Sequence, residues 1–130
     1  MESLWVNFQK CNEYNPPHIH SGDISFVIYL QMPEEIKKEK AIGTSKNNGA
    51  INFSYGDFTY TIKNSNSLVE KMRNYLQPIT IHNYLPETGD MFIFPSYLIH
   101  FVDSFVTPHI KRISVSGNIF IFENKIKGIL

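Results

Sequence analysis

Apolar and polar positions alternate along much of this chain. Residues 50–55 alternate strictly, and residues 4–10 do so from Trp5 onward, which predicts strands with one face buried. Residues 25–31, 91–94, 99–102 and 110–122 are denser in β-branched and aromatic side chains and predict more deeply buried strands. The last of these carries a predicted turn at Gly117-Asn118, and Pro95 is expected to end the strand before it. Residues 78–84 also have strand character. Gly56-Asp57 predicts a turn into residues 58–62, hence a hairpin. Two stretches have helical character instead. Residues 33–38 begin with proline and acids and end with lysines, which complements the helix dipole. Residues 67–76 place apolar side chains at 68, 69, 72, 75 and 76. Turn chemistry fills 12–17 and 86–90, and 41–49 predicts an exposed loop. Seven or eight short strands with one or two short helices predict an all-β jelly roll occupying residues 1–130 as one domain.

Composition narrows the classes without choosing among them. With 130 residues and 42% hydrophobic content, the chain can bury a core without disulfides. Twelve basic and twelve acidic residues cancel, which argues against a partner held through phosphate contacts, so no nucleic acid is expected. Cys11 is the only cysteine, so an intrachain disulfide and a multi-cysteine zinc site are both excluded. A reducing compartment fits, no membrane-length apolar run is present, and a cytoplasmic location is expected.

The candidate chemistry starts at Asn15-Pro16-Pro17-His18-Ile19-His20-Ser21-Gly22-Asp23. Residues two apart on an extended chain share a face, so His18 and His20 can aim two imidazoles at one point, and imidazole is the commonest protein ligand for a metal. Two surface histidines after a turn would look the same. His100 lies eighty residues on, at the end of an apolar run, where a histidine is either a satisfied core residue or a ligand. Taken together, the three suggest one metal centre. Arg112 and Ser114 are also two apart, on the next apolar run. A guanidinium beside a hydroxyl is a receptor for a carboxylate, unless Arg112 faces solvent or pairs with an acid such as Asp103.

These pieces have a familiar order. Trp5-Val6-Asn7, the Asn15-to-Gly22 motif, Ser25 through Leu30, Gly89-Asp90-Met91-Phe92-Ile93-Phe94-Pro95 through His100, and Arg112 through Ile119 span nearly the whole chain. In this order the chain resembles the small Fe(II)- and 2-oxoglutarate-dependent oxygenases of bacteria and marine tailed phages. The resemblance implies a double-stranded β-helix (a cupin-like jelly roll) and a dioxygenase that couples decarboxylation of 2-oxoglutarate to hydroxylation of a substrate C–H bond. It implies Fe(II) on His18, His20 and His100, 2-oxoglutarate and O2 as co-substrates, and Arg112 with Ser114 on the far carboxylate. Asn7, Tyr29 and Asn118 are candidates for further co-substrate hydrogen bonds. A phage-encoded protein would act in the host cytoplasm.

One departure stands out. The broad superfamily has a carboxylate where His20 stands. Either the site is built of three histidines, or Asp23 folds back to supply the acid, and the i+2 geometry favours His20. The rival readings are a cupin-like metal- or sugar-binding protein or isomerase that does not use 2-oxoglutarate, and an inactive jelly-roll interaction module. Peptidyl or prolyl hydroxylation is one family-level option that no residue selects. The substrate and the oligomeric state are not legible.

Overall fold

A computed structural model of the chain describes residues 3–41, 43, 46–56 and 80–121. They form eight strands and one short helix: β1 (Ser3–Gln9), β2 (Asn15–His18), β3 (Ile24–Gln31), α1 (Glu34–Lys37), β4 (Ile51–Tyr55), β5 (Thr80–Tyr84), β6 (Met91–Pro95), β7 (Ile99–Val102) and β8 (Arg112–Ile119). The strands make two four-stranded sheets, β1-β8-β3-β6 and β2-β7-β4-β5, with every pairing antiparallel. The chain passes repeatedly between the two sheets, and its first and last strands end side by side. This is a jelly roll, as the strand pattern predicts. The predicted strand at 58–62 and helix at 67–76 lie outside the described residues. Among those described, no helix is long and apolar enough to cross a membrane.

The core lies between the sheets and joins Val27 and Tyr29 of β3 to Ile51 and Phe53 of β4, Phe94 of β6 and Val102 of β7. A smaller cluster of Met32, Ile36 and Phe105 holds α1 down, with Cys11 packed against it. Ile36 is the one buried residue of α1, so it ties a helix too short to stand alone.

Several local expectations change. Pro16 and Pro17 belong to strand β2 rather than to a turn; the turn is at Cys11-Asn12, where Asn12 takes φ 64. β2 is an edge strand, the one place in a sheet where missing N–H groups are tolerated. Pro95 does end its strand, as expected: it is the last residue of β6, itself an edge strand of the other sheet. β8 runs unbroken through Gly117-Asn118, so no turn forms there. Glycine stands at 117 because the Phe26 ring crosses it: a Cβ would come within 2.7 Å of that ring and 2.8 Å of the Ser3 carbonyl oxygen. The loop before β4 is not exposed throughout. Asn48, Gly49 and Ala50 are buried, and Gly49, at φ +68, leaves no room for a Cβ beside Ile36.

The alternation in β1 has a phase that the sequence does not reveal. Trp5, Asn7 and Gln9 turn inward, and Leu4, Val6 and Phe8 turn outward. The polar side chains of this strand therefore face the interior, where a cavity of about 350 Å³ lies.

Candidate metal centre

The second sheet sets up the histidines. β2 and β7 pair so that His18 stands directly opposite His100. His20 follows just after β2 and is fixed by its backbone N–H, which donates to the Ser96 carbonyl at 2.9 Å. The three residues each offer one ring nitrogen, and these atoms lie within 4.8 Å of one another. The Nε2 atoms of His20 and His100 are 3.2 Å apart. Two nitrogens bound at about 2.1 Å to one ion, at right angles, stand about 3 Å apart, so this spacing suits a shared metal.

Local hydrogen bonds settle which nitrogen faces the centre. Nδ1 of His18 lies 2.7 Å from the Pro16 carbonyl oxygen, and Nδ1 of His100 lies 2.9 Å from the Leu98 carbonyl oxygen. A carbonyl only accepts, so both Nδ1 atoms carry the proton and both Nε2 lone pairs are left for a ligand. Phe94 packs 4.7 Å from the His100 ring, and Trp5 packs 5.2 Å from His20, ring centre to ring centre. Burial holds the His100 imidazolium down to about 4, assisted by the His18 and His20 charges and opposed by the Leu98 carbonyl. Burial, then the charge of His18, lowers His20 as well. For His100 this leaves neutral imidazole at neutral pH, the form that binds a metal.

The first sheet supplies the other end of the same cavity. Arg112 opens β8 and is 5% exposed. Its Nη1 donates to the Gly49 carbonyl at 2.8 Å, but its Nε has no partner. Its guanidinium carbon sits 5.3 Å from the centre of the Tyr29 ring, and the Tyr29 hydroxyl, also buried, has no partner either. Burial pushes the Tyr29 phenol up to about 12 against the pull of Arg112, so it stays a neutral donor. Burial also lowers the Arg112 guanidinium from its ordinary value, while Tyr29 and Asp103 support its charge. The Asp103 carboxylate itself accepts from Asn52 at 2.9 Å. A buried cation and a buried hydroxyl with donors to spare are costly unless an anion completes them. Arg112 does not face solvent.

The cavity is lined by all three histidines together with Asn7, Tyr29, Arg112 and Ser114. Asn7 enters it while donating to Ser116 Oγ at 3.3 Å. Two candidates are placed elsewhere. Asn118 does not line the cavity: its side chain accepts from Ser25 Oγ at 2.8 Å and donates to Ser3 Oγ at 3.1 Å, so its polar atoms are engaged in the packing. Asp23 is exposed, outside the histidine group, and its carboxylate accepts from the Ile121 N–H at 2.6 Å. Among the described residues no carboxylate joins the three imidazoles.

Sequence reasoning missed Trp5 and Gln9, which also line the cavity. Gln9 donates through Nε2 to the Glu13 carbonyl at 2.6 Å and leaves Oε1 buried without a partner. Their signal was present, because both lie two residues from Asn7 on the same face of β1.

A family model described as "Putative 2OG-Fe(II) oxygenase" matches residues 3–118. No curated protein and no solved structure matches the chain.

Proposed function

We propose, from the premise that the chain belongs to this family of 2OG-Fe(II) oxygenases, that it is an Fe(II)- and 2-oxoglutarate-dependent dioxygenase whose metal is held by His18, His20 and His100. Arg112, Tyr29 and Ser114 receive the far carboxylate of 2-oxoglutarate, with Asn7 as a further polar contact. When bound, the metal supplies the oxidising chemistry, in which 2-oxoglutarate, O2 and a substrate C–H become succinate, CO2 and a C–OH. The observation that carries this reading is the pair of unpartnered buried atoms, Arg112 Nε and Tyr29 Oη, in one cavity with three converging imidazoles.

The chain's own residues act by holding and shielding. The Pro16 and Leu98 carbonyls keep the His18 and His100 rings in one tautomer and one orientation. Three neutral imidazoles leave the charge of a divalent ion to be balanced by the anionic co-substrate, so metal and 2-oxoglutarate should bind cooperatively. Arg112 stays charged because the guanidinium is intrinsically so basic that burial does not deprotonate it, and it fixes the co-substrate by charge-assisted hydrogen bonds. Trp5 and Phe94 exclude water beside the ligands.

Adding Fe(II) and 2-oxoglutarate without oxygen tests this. A weak visible charge-transfer band should form with the wild type, disappear in His100→Ala and weaken strongly in Arg112→Ala. The three-histidine set without an acid also suits a cupin-like metal protein. That second reading gains if metal binds tightly and 2-oxoglutarate, at millimolar concentration, changes neither the spectrum nor the metal affinity.

A further inference from the structure

The outward face of the first sheet is apolar from edge to edge. Register aligns Val6, Val115, Ile28 and Met91 in one row across the four strands, and Leu4, Gly117, Phe26 and Ile93 in the next. Phe8 and Ile113 extend the face on one side, and Ile119, Ile24 and Pro95 on the other. No charged or hydrogen-bonding side chain interrupts the two full rows; Gln31, paired with Ile113, stands at one margin. Leu4, Val6, Phe8, Met91 and Ile93 are 49 to 63% exposed. An antiparallel sheet with one open face normally presents polar side chains there; here β1 and β8 turn Asn7, Gln9, Arg112 and Ser114 inward and apolar side chains outward.

From this we infer that the face is a homodimer interface, on which a second copy of this chain packs its own identical face. The size fits. Four strands about 4.8 Å apart, with outward residues about 7 Å apart along each, give a footprint roughly 20 Å on a side. With on the order of 50 Å² still open on each half-exposed apolar side chain, the face offers several hundred Å². That matches the roughly 300–600 Å² of the largest patch on a typical monomer, a patch that is often functional. It is about half of the ~800 Å² that a standard interface takes from each partner, the size of a weak, concentration-dependent dimer contact. Charge fits as well. The face offers no counter-charge to a nucleic acid or an anionic membrane, and a chain of zero formal net charge does not repel its own copy. Two twisted sheets of the same hand pack face to face about 10 Å apart, and a two-fold axis pairs one patch with itself.

Sedimentation of the full chain over a concentration series tests the interface, with Val6→Lys and Ile93→Glu as the variants. Both side chains are more than two-fifths exposed, so the fold tolerates the change. The wild type should show twice the 15.1 kDa chain mass at micromolar concentration, and each variant should weaken the dimer at least 100-fold. Should a variant fail to fold, hydrogen exchange of the wild type decides instead: amides of 3–9 and 91–95 should exchange faster on dilution. A wild type that stays monomeric overturns the inference, as does a dimer untouched by both variants or one whose concentration-dependent exchange lies elsewhere. Two results in a monomeric wild type would name another occupant and equally overturn it: dimerisation on deletion of 122–130, or flotation with phosphatidylcholine vesicles.

Discussion

The two ends of the cavity are built on different principles. At the imidazole end the rings are oriented by nearby carbonyls, and two of them already touch at 3.2 Å. At the guanidinium end a buried cation and a buried phenol each keep a polar atom without a partner. The first end is preorganised and nearly satisfied; the second is preorganised and unsatisfied. A site that holds a metal needs orientation, because the ion is compact and its ligands must converge. A site that holds a carboxylate needs spare donors, because each bond to a charged group contributes about 1.5–3 kcal/mol only if it is made. The end that lacks partners therefore says more about its ligand than the end that has them.

This contrast can be broken at either end separately. The largest effect is expected from His100→Ala, which should weaken metal binding by on the order of 100-fold or more. Anaerobic titration with Fe(II) or Co(II) measures it. Arg112→Met should leave metal affinity within about threefold, yet weaken 2-oxoglutarate binding to the metal-loaded protein by roughly 10- to 150-fold. The same variant should lower ligand-free stability by no more than about 1–3 kcal/mol, since removal of an incompletely paired buried charge offsets loss of the bond to the Gly49 carbonyl; urea unfolding would show this. Tyr29→Phe should cost only a few-fold in 2-oxoglutarate affinity and leave ligand-free stability unchanged, because the hydroxyl it removes has no partner. Asn118→Ala should change neither binding constant. It should still lower stability by about 1–3 kcal/mol, because one hydrogen bond from Ser25 and one to Ser3 are lost in a buried place.

The jelly roll and the histidine set were largely legible. His18 and His20 were readable because a two-residue spacing on an extended chain puts both rings on one face, and the metal reading followed only when His100, closing a long apolar run, was taken with them. What was not legible depended on partners across strands. Alternation in β1 reveals a period but not a phase, so the inward turn of Asn7 and Gln9 needed the sheet. Asn118 shares its face with Arg112 and Ser114, but residues four apart on a strand stand roughly 13 Å apart, and parity carries no information about depth. Gly117-Asn118 has the composition of a turn, whereas the demand for glycine comes from Phe26 on the neighbouring strand. Pro16 and Pro17 read as a turn for a similar reason: only topology shows that their strand is an edge.

Those two prolines have a consequence for how ligands reach the histidines. An incoming polypeptide that tried to lengthen the second sheet at this edge would find an amide hydrogen missing, because N–H groups alternate sides and one of two successive prolines falls on the open side. Backbone zippering beside His18 is thereby blocked, and a visitor must present itself through side chains or as a small molecule. The locked φ of Pro16 also stiffens the peptide whose oxygen orients the His18 ring, so little motion remains to be frozen when an ion arrives.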